Sequence, residues 1–104
     1  MKPKKQYMRV VCEDGYSVSI QASSTCYCQP RVDDAFEYKE VELGFPNQTD
    51  FIIEQYAENE NALTETVYGY VPVDEVYLLL TKHGGVVEGD VPKGVPVYGG
   101  KSYG

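Results

Sequence analysis

The sequence predicts an α+β fold, with a single domain in which one C-terminal helix packs against an antiparallel sheet of four to five strands. Three observations support this class. The chain has 104 residues, which is too short for two hydrophobic cores. Two segments of alternating apolar and polar residues flank Asp14 and Gly15, which predicts an N-terminal β-hairpin. A β-branched segment from Val67 leads directly into a run of apolar residues with helical spacing.

The first two strands are predicted to form that hairpin. Residues 7–12 alternate, with Met8, Val10 and Cys12 on one face, and residues 16–22 alternate after them. An Asp-Gly pair between such segments favours a type I′ turn, because both central residues of that turn need a positive φ. One face of the hairpin should be buried and the other polar, as in a sheet that a helix covers on one side.

The middle of the chain is predicted to alternate loops with short strands. Residues 23–34 are rich in Ser, Thr, Cys and Pro and predict a long loop. Residues 38–45 resume the alternation of a strand, and residues 51–53 are a candidate for a short buried strand. Residues 54–65 are acidic and weakly apolar, which predicts a surface loop. Residues 66–71 form the last predicted strand.

The helix is predicted to begin near Val73 and to end near His83. Acidic residues follow Pro72 in its first turn, and a basic pair precedes two glycines at its end. Its apolar residues form one broad stripe that should cover the sheet: Val73, Val76, Tyr77, Leu79 and Leu80.

Three regions are expected along the chain. Residues 1–6 form a flexible basic N-terminus, residues 7–85 form the domain, and residues 86–104 form a Gly-, Pro- and Tyr-rich tail that is predicted to be disordered. No apolar run approaches the roughly 18 residues of a membrane span, and the basic N-terminus does not lead into a signal-peptide core. We therefore expect a cytoplasmic protein with no membrane partner.

The charge of the chain is strongly acidic and unevenly distributed. The formal net charge is −7, and between Val32 and Thr81 twelve Asp and Glu residues accompany Lys39 as the one basic residue. Phosphate backbones are bound by Lys and Arg, so we expect no direct nucleic-acid partner. An acidic surface of this kind either attracts a basic protein surface or serves solubility alone.

The cysteines offer a weak alternative with a metal. Cys12, Cys26, Cys28 and His83 together have the composition of a Cys₃His zinc site. Structural zinc usually uses two cysteines separated by two to four residues, whereas C-x-C in an extended segment points its side chains to opposite faces. We therefore favour reduced thiols and no cofactor.

No catalytic signature is apparent in the chain. The carboxylate pairs are explained by exposed strand faces, turns and a helix N-terminus, and none stands out as a tuned acid and base. A nucleophilic site would have to rest on His83, the one histidine, and no nucleophile-elbow sequence is present. We therefore expect a protein that is not an enzyme.

Arg31 is a candidate contact residue. It follows a proline in a loop that also carries Tyr27, in a segment otherwise poor in cations. Its guanidinium can bind a carboxylate or a phosphate through two hydrogen bonds, and the Tyr27 ring could stack on the same ligand. The alternative is an internal ion pair with Asp33 or Glu37.

Two tyrosines and two glutamates are further candidates for contacts. Tyr68 and Tyr70 alternate on the last strand, so both rings share a face, which points outward if the helix covers the opposite face. Exposed tyrosines favour self-association or partner binding, although packing under a loop or the tail is an equal alternative. Glu40 and Glu42 lie on the polar face of the preceding strand and are expected to contact a basic partner.

Four short segments carry a resemblance to known proteins. Cys-Gln-Pro-Arg at 28–31, Val-Glu-Leu-Gly-Phe-Pro at 41–46, the segment at 66–73 and Lys-His-Gly-Gly at 82–85 resemble small uncharacterised proteins encoded by tailed bacteriophages. The family has no established activity, so the resemblance carries over no catalytic residue. It implies a protein of the host cytoplasm that binds and modulates host machinery, including defence systems, or that sequesters a signalling nucleotide.

These observations together predict a non-enzymatic acidic binding protein that engages a basic surface of a host protein. The first alternative is a binder of an anionic, nucleotide-like ligand, held by Arg31 and Tyr27 at the interface of a homo-oligomer. The second alternative is a structural protein of unknown role.

Overall fold

The fold is a five-stranded antiparallel sheet with one α-helix against it. The computed structural model describes residues 6–97 of the chain. Its elements are β1 (Val10–Cys12), β2 (Ser17–Gln21), β3 (Glu40–Gly44), a 3₁₀ helix (Glu54–Tyr56), β4 (Val67–Pro72), α1 (Val73–Lys82) and β5 (Val86–Glu88). The strand order is β4-β3-β2-β1-β5, which confirms the predicted α+β class, the N-terminal hairpin and the C-terminal helix. Neither helix of residues 6–97 combines the length and the apolarity that membrane crossing requires.

The β1–β2 hairpin closes through a three-residue loop rather than the predicted type I′ turn. The N–H of Cys12 donates to the carbonyl of Tyr16 at 2.8 Å, and the N–H of Gly15 donates to the carbonyl of Cys12 at 3.0 Å. Gly15 has a φ of +94°, whereas Asp14 is not in the positive-φ region. A type I turn followed by a glycine in a G1 bulge accounts for this pattern. Within the loop, Oδ1 of Asp14 accepts the N–H of Tyr16 at 2.9 Å.

The hydrophobic core lies between α1 and one face of the sheet. Alternate residues of the strands and the inner stripe of the helix are fully buried there: Val18, Ile20, Val41, Leu43, Val71, Val76, Leu79 and Leu80. The predicted helical stripe is confirmed, because its central residues are buried while Val73 and Tyr77 are partly exposed. Met8 was expected to share this face and is instead exposed. Burial of each such aliphatic side chain stabilises the fold by about 1.5 to 3 kcal/mol.

A β-bulge in β4 separates two tyrosines that the alternation had placed on one face. Gly69 and Tyr70 lie opposite the single residue Glu42 of β3, because the pairing register shifts there. Tyr70 has a φ of +53°, and the extra residue inverts the alternation beyond it. Tyr68 is therefore fully buried with its hydroxyl on the carbonyl of Leu63, so the alternative of packing under a loop holds for Tyr68, and the two tyrosines do not share a face.

The segment after the helix is ordered as far as the structure describes it. β5 pairs with β1, and the carbonyl of Lys93 accepts a hydrogen bond of 2.8 Å from the N–H of Tyr38. Val95 is buried against the core. The predicted disordered tail is therefore wrong for residues 86–97, while its remainder and residues 1–5 lie outside the described residues.

The predicted strand at 51–53 is also wrong. This segment forms a turn that leads into the 3₁₀ helix, with Ile53 buried and Phe51 76% exposed. Oδ1 of Asp50 accepts the N–H of Ile52 at 2.9 Å. Such a local side-chain bond to the backbone competes with strand pairing and favours the turn.

Candidate functional site

Four of the candidate contact residues meet on one surface beside the bulge of β4. We name this the tyrosine surface, and it consists of Tyr27, Arg31, Glu42 and Tyr70. The ring centroids of Tyr27 and Tyr70 lie 5.9 Å apart with the planes tilted by 38°. The side chains of these two tyrosines are 37% and 40% exposed, so the ring pair is open to a partner.

The backbone holds this ring pair in place. The carbonyl of Tyr27 accepts the N–H of Tyr70 at 2.9 Å, and Oε1 of Glu42 accepts the N–H of Tyr27 at 3.1 Å. A Cβ at Gly69 would lie 3.2 Å from the Cβ of Tyr27, so the small residue permits this close approach. The left-handed φ of Tyr70 costs about 1 to 2 kcal/mol in a residue with a side chain. Strain of this kind is concentrated at functional sites.

Arg31 lies over one of the two rings. Its guanidinium carbon is 5.3 Å from the centroid of the Tyr27 ring, within the range of a cation–π contact. The alternative ion pairs with Asp33 and Glu37 do not form within residues 6–97. Glu37 instead lies 3.5 Å from the ammonium of Lys39, and Asp33 accepts the N–H of Ser24. The structure therefore places Arg31 against Tyr27, while their role as contact residues stays a prediction.

The other two candidate contact residues have different positions. Glu40 is partly buried, and its carbonyl accepts the N–H of Gln29 at 3.0 Å, which ties β3 to the loop that carries Tyr27. Tyr68 is buried in the core, and its hydroxyl donates to the carbonyl of Leu63. Burial raises the pKa of Tyr68, which keeps the phenol neutral. Tyr68 is therefore part of the core rather than of a contact surface.

The residues of the zinc alternative do not meet. Cys12 is buried on β1, where burial raises the pKa of its thiol to about 11. The Cys28 thiol donates to the carbonyl of Ser23 at 3.2 Å, and burial also raises its pKa, whereas zinc ligation needs the thiolate. Within residues 6–97, no three His, Cys, Asp or Glu side chains form a group that could hold a metal.

A second polar group surrounds His83 and was not predicted from the sequence. We name it the histidine cluster, and it consists of Asp14, Tyr16, Asp50, Lys82 and His83. The Nδ1 atom of His83 lies 2.7 Å from Oδ2 of Asp14, and its Nε2 atom lies 2.8 Å from Oδ2 of Asp50. The imidazole stacks on the Tyr16 ring at 4.0 Å with an interplanar angle of 9°.

The electrostatics of the histidine cluster favour charged groups. Burial alone would raise the pKa of Asp50, but hydrogen bonds from Ile52, His83 and Lys82 outweigh it and lower that pKa. The pKa of Asp14 is lowered by the N–H of Tyr16 and by His83. Each ring nitrogen of His83 thus lies within hydrogen-bond distance of a carboxylate whose ionised form is favoured. These contacts tie the hairpin loop and the loop that carries Asp50 to the end of α1.

Comparison of the chain with protein-family models, curated proteins and solved structures found no match. His83 is only 8% exposed, whereas both rings of the tyrosine surface reach solvent. The tyrosine surface is the candidate functional site.

Two residues of the histidine cluster stand at positions that the sequence explains in another way. Asp14 next to a glycine and His83 before two glycines each have an ordinary role at a turn or a helix end. Those local roles explain each residue separately, so the sequence does not indicate the contact between them.

Proposed function

We propose that this protein is a non-enzymatic binding protein whose tyrosine surface engages a partner protein. The observation that carries the proposal is the exposed ring pair of Tyr27 and Tyr70, which the backbone holds at 5.9 Å. Tyrosine and arginine dominate the binding energy of protein interfaces. A ring that is already held in place loses little conformational entropy when a partner covers it.

The charge of the chain supports a partner with a basic surface. Glu42 belongs to the tyrosine surface and Glu40 lies on the same strand, within a chain of net charge −7. Complementary charge accelerates association and excludes wrong partners, and it disfavours the phosphate backbone of nucleic acids. The resemblance to phage-encoded proteins adds the context of a host protein in the host cytoplasm, which this chain modulates as a host-takeover or anti-defence factor.

The test compares capture of a partner by matched variants. Tyr27→Ala and Tyr70→Ala remove the two rings, and Phe51→Ala removes another exposed ring, near Lys82 at the end of the helix. We expect a basic protein to bind the unaltered chain and Phe51→Ala but not the two tyrosine variants. A protein that all four forms retain equally would contradict the proposal.

The charge component has its own measurement. Glu40→Gln combined with Glu42→Gln removes two charges, while the amide oxygen at position 42 can still accept the N–H of Tyr27. We expect weaker binding of the captured partner and a shallower dependence of its Kd on salt. Binding that is the same at low and high salt in the unaltered chain would exclude a role for charge.

A second candidate function is binding of an anionic small ligand at an oligomer interface. It is favoured by Arg31, which is exposed and lies beside Tyr27. The Arg31 guanidinium forms no ion pair within residues 6–97. Native mass spectrometry of the untagged protein and calorimetry with adenine and guanine nucleotides test it. Arg31→Ala should abolish such binding with little change in Tm, whereas a clean apo monomer that ignores nucleotides would contradict this function. A chain that binds neither protein nor nucleotide would leave the structural role.

A further inference from the structure

We infer that the ring pair of the tyrosine surface is a subsite for an arginine side chain of the basic partner. This inference rests on the proposed function and adds the chemistry that the surface recognises. The faces of Tyr27 and Tyr70 carry negative partial charge, and a guanidinium can lie flat on such a face. Both tyrosines are partly exposed, so part of this area is open in the free protein.

Two carboxylates add to the attraction for a cation. Glu42 accepts the N–H of Tyr27 through Oε1. On the other side of β4, Ala57 forms an isolated bridge with Tyr68, and Oε2 of Glu58 lies 3.6 Å from the position that a Cβ on Gly69 would occupy. Aromatic rings beside carboxylates are the setting in which proteins bind guanidinium and ammonium groups.

Arg31 demonstrates that a guanidinium fits the Tyr27 ring. Its guanidinium carbon lies 5.3 Å from the ring centroid in the free chain. Arg31 therefore occupies part of the subsite and competes with an arginine from a partner. Removing Arg31 frees that ring face and also removes a repulsive charge. The same change would destroy a site for an anion, so Arg31 distinguishes the two kinds of ligand.

The experiment uses a short peptide with three arginines and a matched peptide in which citrulline replaces each arginine. Citrulline keeps the shape of the side chain and lacks its charge. Binding to the isotope-labelled chain is followed by NMR in low salt. We expect the arginine peptide to shift the resonances of Tyr27 and Tyr70 and to bind more tightly than the citrulline peptide. Equal binding of the two peptides would overturn the inference.

Four variants locate the binding. Tyr27→Ala and Tyr70→Ala should each raise the Kd of the arginine peptide by about threefold to fivefold. Arg31→Gln should lower this Kd, and Glu88→Gln, which removes a charge from the opposite edge of the sheet, should leave it almost unchanged. If Glu88→Gln lost as much affinity for the arginine peptide as the tyrosine variants, the peptide would be attracted by the overall acidity of the chain. That result would overturn the subsite. Weaker binding by Arg31→Gln would also overturn it.

The outcomes separate this inference from the proposed function. A protein partner that requires both rings, together with arginine peptides that do not, would disprove the subsite and leave the binding function intact. Ring-dependent binding of the arginine peptide without any protein partner would support the subsite and disprove the proposed function.

Discussion

The Nε2 atom of His83 lies 2.8 Å from Oδ2 of Asp50, and the ammonium of Lys82 lies 3.1 Å from that same oxygen. The other oxygen of this 5% exposed carboxylate accepts the N–H of Ile52. A buried carboxylate is tolerated only when it is paired and hydrogen-bonded, and here the His83 ring and the Lys82 ammonium meet that need. The loop that carries Asp50 is thereby fixed against the end of α1.

Replacing His83 should destabilise the fold. His83→Ala removes one hydrogen-bond partner of Asp50, which keeps Lys82, and removes the ring that stacks on Tyr16. Loss of a hydrogen-bond partner by a buried polar group costs about 1 to 3 kcal/mol. Urea unfolding followed by circular dichroism measures the loss. Lys39→Ala, which breaks an exposed pair, is the matched control and should cost about 0.5 kcal/mol or less. Equal losses in the two variants would contradict the importance of the cluster.

Acid should weaken the fold through Asp14 and Asp50. Both carboxyls have a pKa below the ordinary value of 3.8, so the unfolded chain binds their protons more readily than the folded chain does. Their stabilisation is therefore complete above about pH 5 and is lost as the pH falls through 3.8 towards the folded pKa. Urea midpoints between neutral and acid pH should fall less steeply in Asp50→Asn than in the unaltered chain. Parallel curves would show that Asp50 does not contribute.

Two glycines with similar backbone angles should respond differently to alanine. Gly15 has a φ of +94° with open space around it, whereas Gly94 has a φ of +106° and a Cβ there would lie 2.3 Å from the carbonyl oxygen of Tyr38. Gly15→Ala should cost only the strain of a left-handed residue, about 1 to 2 kcal/mol. Gly94→Ala adds a backbone collision and should cost clearly more. Thermal unfolding of both variants checks this, and equal Tm values would mean that the segment around Gly94 is not packed on the domain.

Because of the left-handed φ of Tyr70, substitutions at this position should affect stability and partner binding independently. Asn tolerates a left-handed φ, whereas β-branched Val does not, so Tyr70→Asn should be more stable than Tyr70→Val by about 1 kcal/mol. Both variants lack the ring and should lose partner binding. Urea unfolding and the partner-binding assay measure the two effects. Retained binding in Tyr70→Asn would mean that the backbone of the bulge, rather than the ring, makes the contact.

Local patterns predicted the elements of this fold well. The alternation around Val18 and Ile20 and the helical spacing around Val76 and Leu79 arise from burial against one core, and both are confirmed. The patterns failed where one extra residue interrupts the alternation of a strand. The bulge at Tyr70 inverts the face of a strand, and no residue type at that position signals it, since Tyr seldom adopts a positive φ.

Contacts between distant residues were not accessible from the sequence. Asp50 and Asp14 are separated from His83 by 33 and 69 residues, and many other carboxylates were equally available. Tyr27 and Arg31 could be selected as candidates from the sequence because they are close together in one loop. The order of residues 86–97 was missed because a segment rich in Gly and Pro is typical of a flexible tail. Within it, the small size of Gly94 is what permits close packing.

The position of β1 has a consequence for synthesis of the chain. β1 lies between β2 and β5, so the first strand of residues 6–97 to emerge from the ribosome obtains one of its two neighbours from the last strand of that range. Until Val86–Glu88 has been translated, one side of Val10–Cys12 has no strand to pair with. Nascent chains with an open strand edge are prone to associate with one another, and chaperones commonly shield such edges. Translational pauses before β5 should therefore lower the yield of folded protein more than pauses after it.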